Sequence, residues 1–194
     1  MIAGSARGRT LKGPPRASSR SQAAIRPTSD LIRGVIFDML DALGATYDRV
    51  LDLYAGTGAL GIEALSRGDG VADFVDSNAD AIALIRANLE ITRFGDRAHV
   101  HRVEARHAAD RLAAQQRDRR PYTLVLADPP YYDVDAFEAV RAVARSPLTD
   151  RATVFVVEHR RGVEPPPAIE GVPLYRSRRH GDTVVSIYAH QEDA

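Results

Sequence analysis

Residues 51–65 read LDLYAGTGALGIEAL and set Gly56, Gly58 and Gly61 in the spacing G-x-G-x-x-G. LDLY has the character of a strand and ALGIEAL that of a helix, so the glycines fall in a strand-to-helix turn. In an open parallel sheet such a turn lies at the carboxyl ends of the strands, where ligands bind. Glycines there let the backbone approach a ligand closely and leave helix N–H groups facing it. A plain tight turn would use the same residues, so the spacing alone is weak. Asp76 strengthens it. Twenty residues beyond Gly56, it closes the stretch ADFVD, where a carboxylate can accept hydrogen bonds from both ribose hydroxyls of an adenosine.

Outward from this turn, strands and helices alternate. Strands are expected at 50–54, 72–76, 99–103, 122–127 and 153–158, with helices at 59–67, 78–91, 105–116 and 135–144. The pattern predicts an α/β, Rossmann-like fold, a mostly parallel sheet with helices on both faces. A further helix is expected from Ser29, where Leu31, Ile32, Val35, Ile36, Met39, Leu40 and Leu43 recur at helical spacing and Thr28 or Ser29 can cap. Beyond a Pro-rich loop at 164–167, strands at 174–178 and 183–189 flank RRHGD and predict a closing antiparallel hairpin. Residues 1–28 are rich in Gly, Ser, Arg and Pro. They read as a basic arm with a short strand within 2–10, leaving 29–194 as the single domain.

The 194 residues suffice for one well-buried domain, and 44% hydrophobic with 27% charged residues is ordinary globular composition. No apolar run has the length of a membrane span and no signal peptide is seen, so a cytoplasmic protein is expected. The absence of cysteine rules out disulfides, thiolate metal sites and a cysteine nucleophile. A net charge of zero hides an asymmetry: Arg7, Arg9, Lys12, Arg16, Arg20 and Arg26 precede the first acid, Asp30, and Arg176, Arg178, Arg179 and His180 cluster near the other end. Such segments suit either a polyanion or a solvated arm and strand edge.

Three features favour S-adenosylmethionine over NAD. Asp52 lies four residues before Gly56, and an acid there suits a cofactor carrying an ammonium and a sulfonium better than one carrying a pyrophosphate. The alternation ends near residue 158, which leaves no room for the substrate domain of a dehydrogenase. The fourth strand runs into Asp128-Pro129-Pro130-Tyr131. Two prolines make a rigid extended turn without N–H donors, Asp128 offers an acceptor, and Tyr131 a face for a stacked base. An exocyclic amine on a base is a poor nucleophile because its lone pair is delocalised into the ring. Two acceptors gripping its hydrogens would aim that lone pair at a methyl group, so catalysis is mostly positioning and electrostatics.

The whole arrangement resembles the class I S-adenosylmethionine-dependent methyltransferases that bear Asp/Asn-Pro-Pro-Tyr/Phe. More narrowly it resembles the RsmD family, which methylates the exocyclic N2 of one guanine in bacterial 16S ribosomal RNA. AGSARGRTL (3–11), IRPTSD (25–30), LDLYAGTGALGIEALSRG (51–68), DPPY (128–131) and RRHGDTVVSIY (178–188) carry the resemblance. It implies a seven-stranded sheet with an antiparallel last strand. It assigns Asp52, Gly56 and Gly58 to the methionine side of the cofactor, with Tyr54 and Thr57 in the same turn also binding it. Asp76 falls to the ribose, and Glu104 with Ala105 to the adenine, where VEARH departs from the usual Asp-Ala or Asn-Ala. The expected partner is 16S rRNA in the small ribosomal subunit, met by a monomer. Arg7, Arg9, Arg26 and Thr28 of the arm, and Arg178 and Arg179 of the hairpin, are the expected substrate-binding residues.

His99, His101, His107 and His159 lack the i, i+4 spacing of a helical metal site, and no metal is expected. Glu63 reads as a first-turn helix charge rather than a base. The rivals are an adenine-N6 DNA methyltransferase, a protein-glutamine methyltransferase and a non-catalytic RNA-binding assembly factor. The first usually needs a recognition domain, the second favours Asn at position 128, and intact Asp52, Gly56, Gly58, Asp76 and Asp128 argue against the third.

Overall fold

Arg49–Leu53 (β1) is buried at every position, as befits a strand in the middle of a sheet. The computed structural model describes residues 1–14, 30–115, 120–130 and 136–191. In it β1 pairs in parallel with Val71–Asp76 (β2) on one side and Leu124–Ala127 (β4) on the other. Ala98–Arg102 (β3) extends the sheet beyond β2, and Val154–Arg160 (β5) extends it beyond β4, both in parallel. Thr183–Tyr188 (β8) then inserts antiparallel beside β5, followed by Val172–His180 (β7) and the two-residue Ala168–Ile169 (β6). The order is β3-β2-β1-β4-β5-β8-β7-β6, which reverses direction at β1 and opens a crevice beyond its carboxyl end.

The two-residue period of the strands sorts the core into two layers. On one face Val50, Phe74, Leu124, Leu126 and Val156 pack under Asp30–Leu43 (α1), Ala59–Arg67 (α2) and Ala79–Thr92 (α3), which contribute Ile36, Phe37, Ile62, Leu65 and Ile85. On the other, Leu51, Leu53, Val125, Phe155 and Val157 meet Ala108–Gln115 (α4) and Ala136–Ala144 (α5) through Leu112, Val140 and Val143. Asn78 caps α3, its side chain accepting the Asp80 N–H at 2.7 Å. This is the mostly parallel sheet with a closing antiparallel hairpin that the sequence predicts.

Three local expectations are corrected. The strand within 2–10 is absent: Arg7 N–H donates to Gly4 O, Gly8 to Met1 and Arg9 to Ala6, so the segment is a series of turns. Side chains of α2 supply the partners a sheet would have given. The Ile2 and Ala3 N–H groups donate to the Glu63 carboxylate, each at 2.9 Å, and the Ala6 N–H donates to Ser66 Oγ at 2.9 Å. The helix expected at 105–116 opens as a 3₁₀ turn, Ala105–His107, before α4 begins. The sheet also gains β6, where 168–169 returns against β7.

Candidate active site

Sheet register builds the site. Leu53, Ala127 and Val157 are the last paired residues of a row across β1, β4 and β5, so the next residues, Tyr54, Asp128 and Glu158, stand together at the carboxyl edge. Asp52 lies just inside that edge, 1% exposed, and its Oδ2 accepts the Gly61 N–H at 2.8 Å. A Cβ on Gly61 would come within 2.4 Å of the Phe74 ring and 3.0 Å of Asp52 Oδ2. The third glycine therefore serves the close packing of helix on sheet. Burial pushes the Asp52 carboxyl up to about 8, the Gly61 N–H opposes this, and the charges of Asp128 and Asp76 add to it.

The turn between β1 and α2 is held from β2. Asp76 Oδ2 accepts the Gly56 N–H at 2.8 Å and Oδ1 accepts the Asn78 N–H at 2.8 Å. Each oxygen keeps a second lone pair for a ligand. Gly58 starts α2 in the left-handed region, φ 78, with no side chain capping the helix. In the first turn of α2 the Gly61 N–H is taken by Asp52, while the N-cap position offers no side-chain acceptor to the N–H groups before it. Tyr54 is half-buried with φ 60, and Thr57 is buried. Val103 N–H reaches Asp76 O at 3.0 Å, which sets the loop after β3 beside the same turn. There Ala105 is buried, while Glu104 is half-exposed and paired with Arg106 at 2.6 Å.

These residues suit S-adenosylmethionine. A buried carboxylate held above its ordinary range is stabilised by an incoming cation, and Asp76 offers free lone pairs beside the helix start. Asp128 is partly exposed on the turn after β4, Pro129 is buried and Pro130 exposed. The Asp128 charge acts on both Asp52 and Glu158.

The remaining assignments fall elsewhere. Tyr131, Arg26 and Thr28 lie outside the described residues. Arg7 is exposed, whereas the Arg9 guanidinium donates to the Ile91 carbonyl at the end of α3. Arg178 and Arg179 are exposed on β7, outside β8 in the sheet. His159 is buried against Phe137 and Ser186 Oγ, at 2.9 Å from the latter, and burial lowers its pKa. His101 pairs with Asp73 at 2.7 Å. Among the described residues no His, Asp and Glu side chains group as a metal site.

Three residues matter that sequence reasoning missed. Glu63, expected as a first-turn helix charge, lies instead beyond the first turn of α2 and is fully buried, with Arg67 Nε at 3.0 Å and Arg33 Nε at 3.6 Å besides its two N-terminal backbone donors. It anchors the start of the chain. Asn88 of α3 donates to Thr57 O at 2.8 Å and Lys12 O at 3.0 Å, and accepts the Lys12 N–H at 2.7 Å. One amide thus ties the glycine turn to the N-terminal segment. Glu158 is the third, buried beside Asp128. Its only sequence signal was an acid ending the apolar run TVFVVE.

A sheet reversed at β1, with a glycine turn pinned between two acids and a carboxylate on a Pro-Pro turn at its carboxyl edge, defines a methyltransferase-like fold and marks the candidate site. Comparison with known proteins agrees. The family model described as "Conserved hypothetical protein 95" matches residues 1–189. "Putative rRNA methyltransferase YlbH" of Bacillus subtilis is 34% identical over 190 residues, 97% of each chain. "Ribosomal RNA small subunit methyltransferase D" of Escherichia coli is 28% identical over 193 residues, 98% of this chain and 89% of that one. The solved structure of "Putative methyltransferase yhhF from Escherichia coli" superimposes with a TM-score of 0.77 at 26% identity, covering 97% of this chain and 95% of that one. The chain belongs to the conserved hypothetical protein 95 family, the RsmD-like methyltransferases. Membership of a methyltransferase family implies S-adenosylmethionine as the methyl donor.

Proposed function

We propose that the protein methylates the exocyclic N2 amine of one guanine in 16S rRNA, acting on the small ribosomal subunit in the cytoplasm. The observation that carries this reading is Asp128, set on a rigid turn in the row with Tyr54 and Glu158 and close enough to act on the buried Asp52. The E. coli relative, called a small-subunit rRNA methyltransferase and similar over nearly its whole length, supports the substrate.

Asp52 and the uncapped start of α2 would hold the methionine end of the cofactor, and Asp76 the ribose. S-adenosylmethionine supplies a methyl whose bond to sulfur breaks as its bond to nitrogen forms, leaving a neutral thioether. Asp128 accepts a hydrogen of the amine, keeps the lone pair directed inward and receives the proton that the nitrogen sheds. Pro129 and Pro130 present no N–H to compete for the amine's acceptors. Tyr131 stacks on the base, and a paired or stacked guanine must first be extruded to reach it. Arg7, Arg26, Thr28, Arg178 and Arg179 contact the surrounding RNA, residues 1–28 forming an RNA-binding extension of the 29–194 domain. The structure of residues 1–14 narrows this role, because they are already docked on α2 and α3.

Asp128→Ala should abolish methyl transfer while leaving calorimetric affinity for S-adenosylmethionine within a few-fold of the parent, since the carboxylate acts on the amine in the transition state. Normal turnover by that variant on small subunits would remove Asp128 from the mechanism.

A further inference from the structure

Among the described residues, Glu158 Oε2 is the only buried carboxylate oxygen without a hydrogen-bond partner. The side chain is 6% exposed at the carboxyl end of β5 and adjoins Asp128 across the β4–β5 register. The Thr183 hydroxyl, from the GDT at the hairpin's return, faces the same carboxylate and favours its ionised form. Thr183 and Val185 lie two apart on β8, paired with Arg160 and Glu158, which puts the hydroxyl diagonally across from the acid. A buried acceptor without a donor is costly, and folding alone would favour an apolar residue in its place. An oxygen left open beside the reacting centre is explained by a donor that arrives with substrate.

We infer that Glu158 reads the target base: its Oε2 accepts the N1–H of the guanine whose N2 amine Asp128 holds. This rests on the proposed guanine-N2 reaction. Neighbouring strands lie about 4.8 Å apart, so the two side chains can converge on adjacent N–H groups of one base edge. Guanine carries a donor at N1 beside its amine, whereas adenine carries a lone pair at N1 beside its own. An ionised Glu158 attracts the first and repels the second. Burial pushes the Glu158 carboxyl up to about 8, the Asp128 charge adds to this and the Thr183 hydroxyl opposes it. Before substrate binds, Glu158 is therefore protonated near neutral pH, and an N1–H donor draws it into the ionised form. Asp128 from the loop after β4 and Thr183 from β8 are the groups that act on it, while His159 beside it on β5 is bonded to Ser186.

The test uses the full chain, once the methylated position is mapped, on small subunits reconstituted with guanosine or 2-aminopurine riboside there. 2-Aminopurine keeps the N2 amine but has an unprotonated N1. The amine is common to both substrates, so titration of Asp128 cancels in their kcat/KM ratio. Glu158 alone moves that ratio, because its protonated form can donate to 2-aminopurine N1 and its ionised form cannot. The parent's preference for guanine should rise about tenfold or more between about pH 6.5 and about pH 8.5. Glu158→Gln, of the same shape and with an unchanged melting temperature, should show a small preference that does not vary with pH. A parent preference independent of pH, or a Glu158→Gln variant that keeps the parent's preference and profile, overturns the inference while leaving guanine methylation standing. Subunits whose target guanine the parent never methylates overturn the reading beneath it as well.

Discussion

Asp52 carries the largest electrostatic tension among the residues proposed to hold the cofactor, because burial, Asp128 and Asp76 all oppose its ionisation and only the Gly61 N–H favours it. Its carboxyl, raised to about 8, lies well above the ~4 of a free carboxylate, so the folded protein holds that proton more tightly than the unfolded chain. The stability this contributes is full below about pH 4 and is lost as pH rises through about 8. A cation at Asp52 reverses the preference. Binding of S-adenosylmethionine should then expel a proton, and affinity should strengthen with pH by up to about tenfold per unit between about pH 6 and 7.5. Calorimetry in two buffers of different ionisation heat would show the released proton, and Asp52→Asn should abolish both the release and the slope. A binding constant independent of pH, with no proton exchanged, would separate Asp52 from the cofactor's charge.

The glycine turn depends on three neighbours: Asp76 holds Gly56, Asp52 holds Gly61 and Asn88 holds Thr57. Asn88→Ala removes the partner of Thr57 O and both partners of the Lys12 backbone, so it should destabilise the fold by about 1–3 kcal/mol. It should also weaken cofactor binding by loosening the turn. Chemical denaturation and calorimetry would check the two effects, and unchanged values for both would show that the N-terminal segment and turn are independent. Much of this element was legible in the sequence. Gly56, Gly58 and Gly61 marked the turn, and α2 begins and ends at 59 and 67 as expected. Asn88, Glu63 and Glu158 were not legible, because each acts on residues about 30 or more positions away, or across strands whose register only the fold defines. A buried amide or acid carries no local periodicity that marks its partner.

At the scale of the whole molecule, the first residues change role. Basic composition and turn-forming residues made 1–28 read as an arm, but Ala6 is 1% exposed and Arg9 is spent on the Ile91 carbonyl. Short-range composition could not show that Glu63 and Ser66, some 60 positions on, supply the partners of this segment. Deleting these residues would strip α2 of its cover, so the electrostatic role is better tested one charge at a time. Arg178→Ala and Arg179→Ala, both exposed, should leave cofactor affinity and stability unchanged while weakening binding to RNA. For every phosphate that a variant no longer neutralises, the slope of log affinity against log salt should fall by about 0.7–0.9. A slope identical to the parent's would take β7 out of the RNA interface. The central claim is the transfer itself, and it is tested most directly by incubating the pure protein with radiolabelled S-adenosylmethionine and small subunits from cells lacking its gene. Digestion of the RNA to nucleosides should put the label in N2-methylguanosine, and mapping of nuclease fragments should place it at a single position of 16S rRNA. Label in another nucleoside, in ribosomal protein, or nowhere while DNA adenine is methylated would contradict the account.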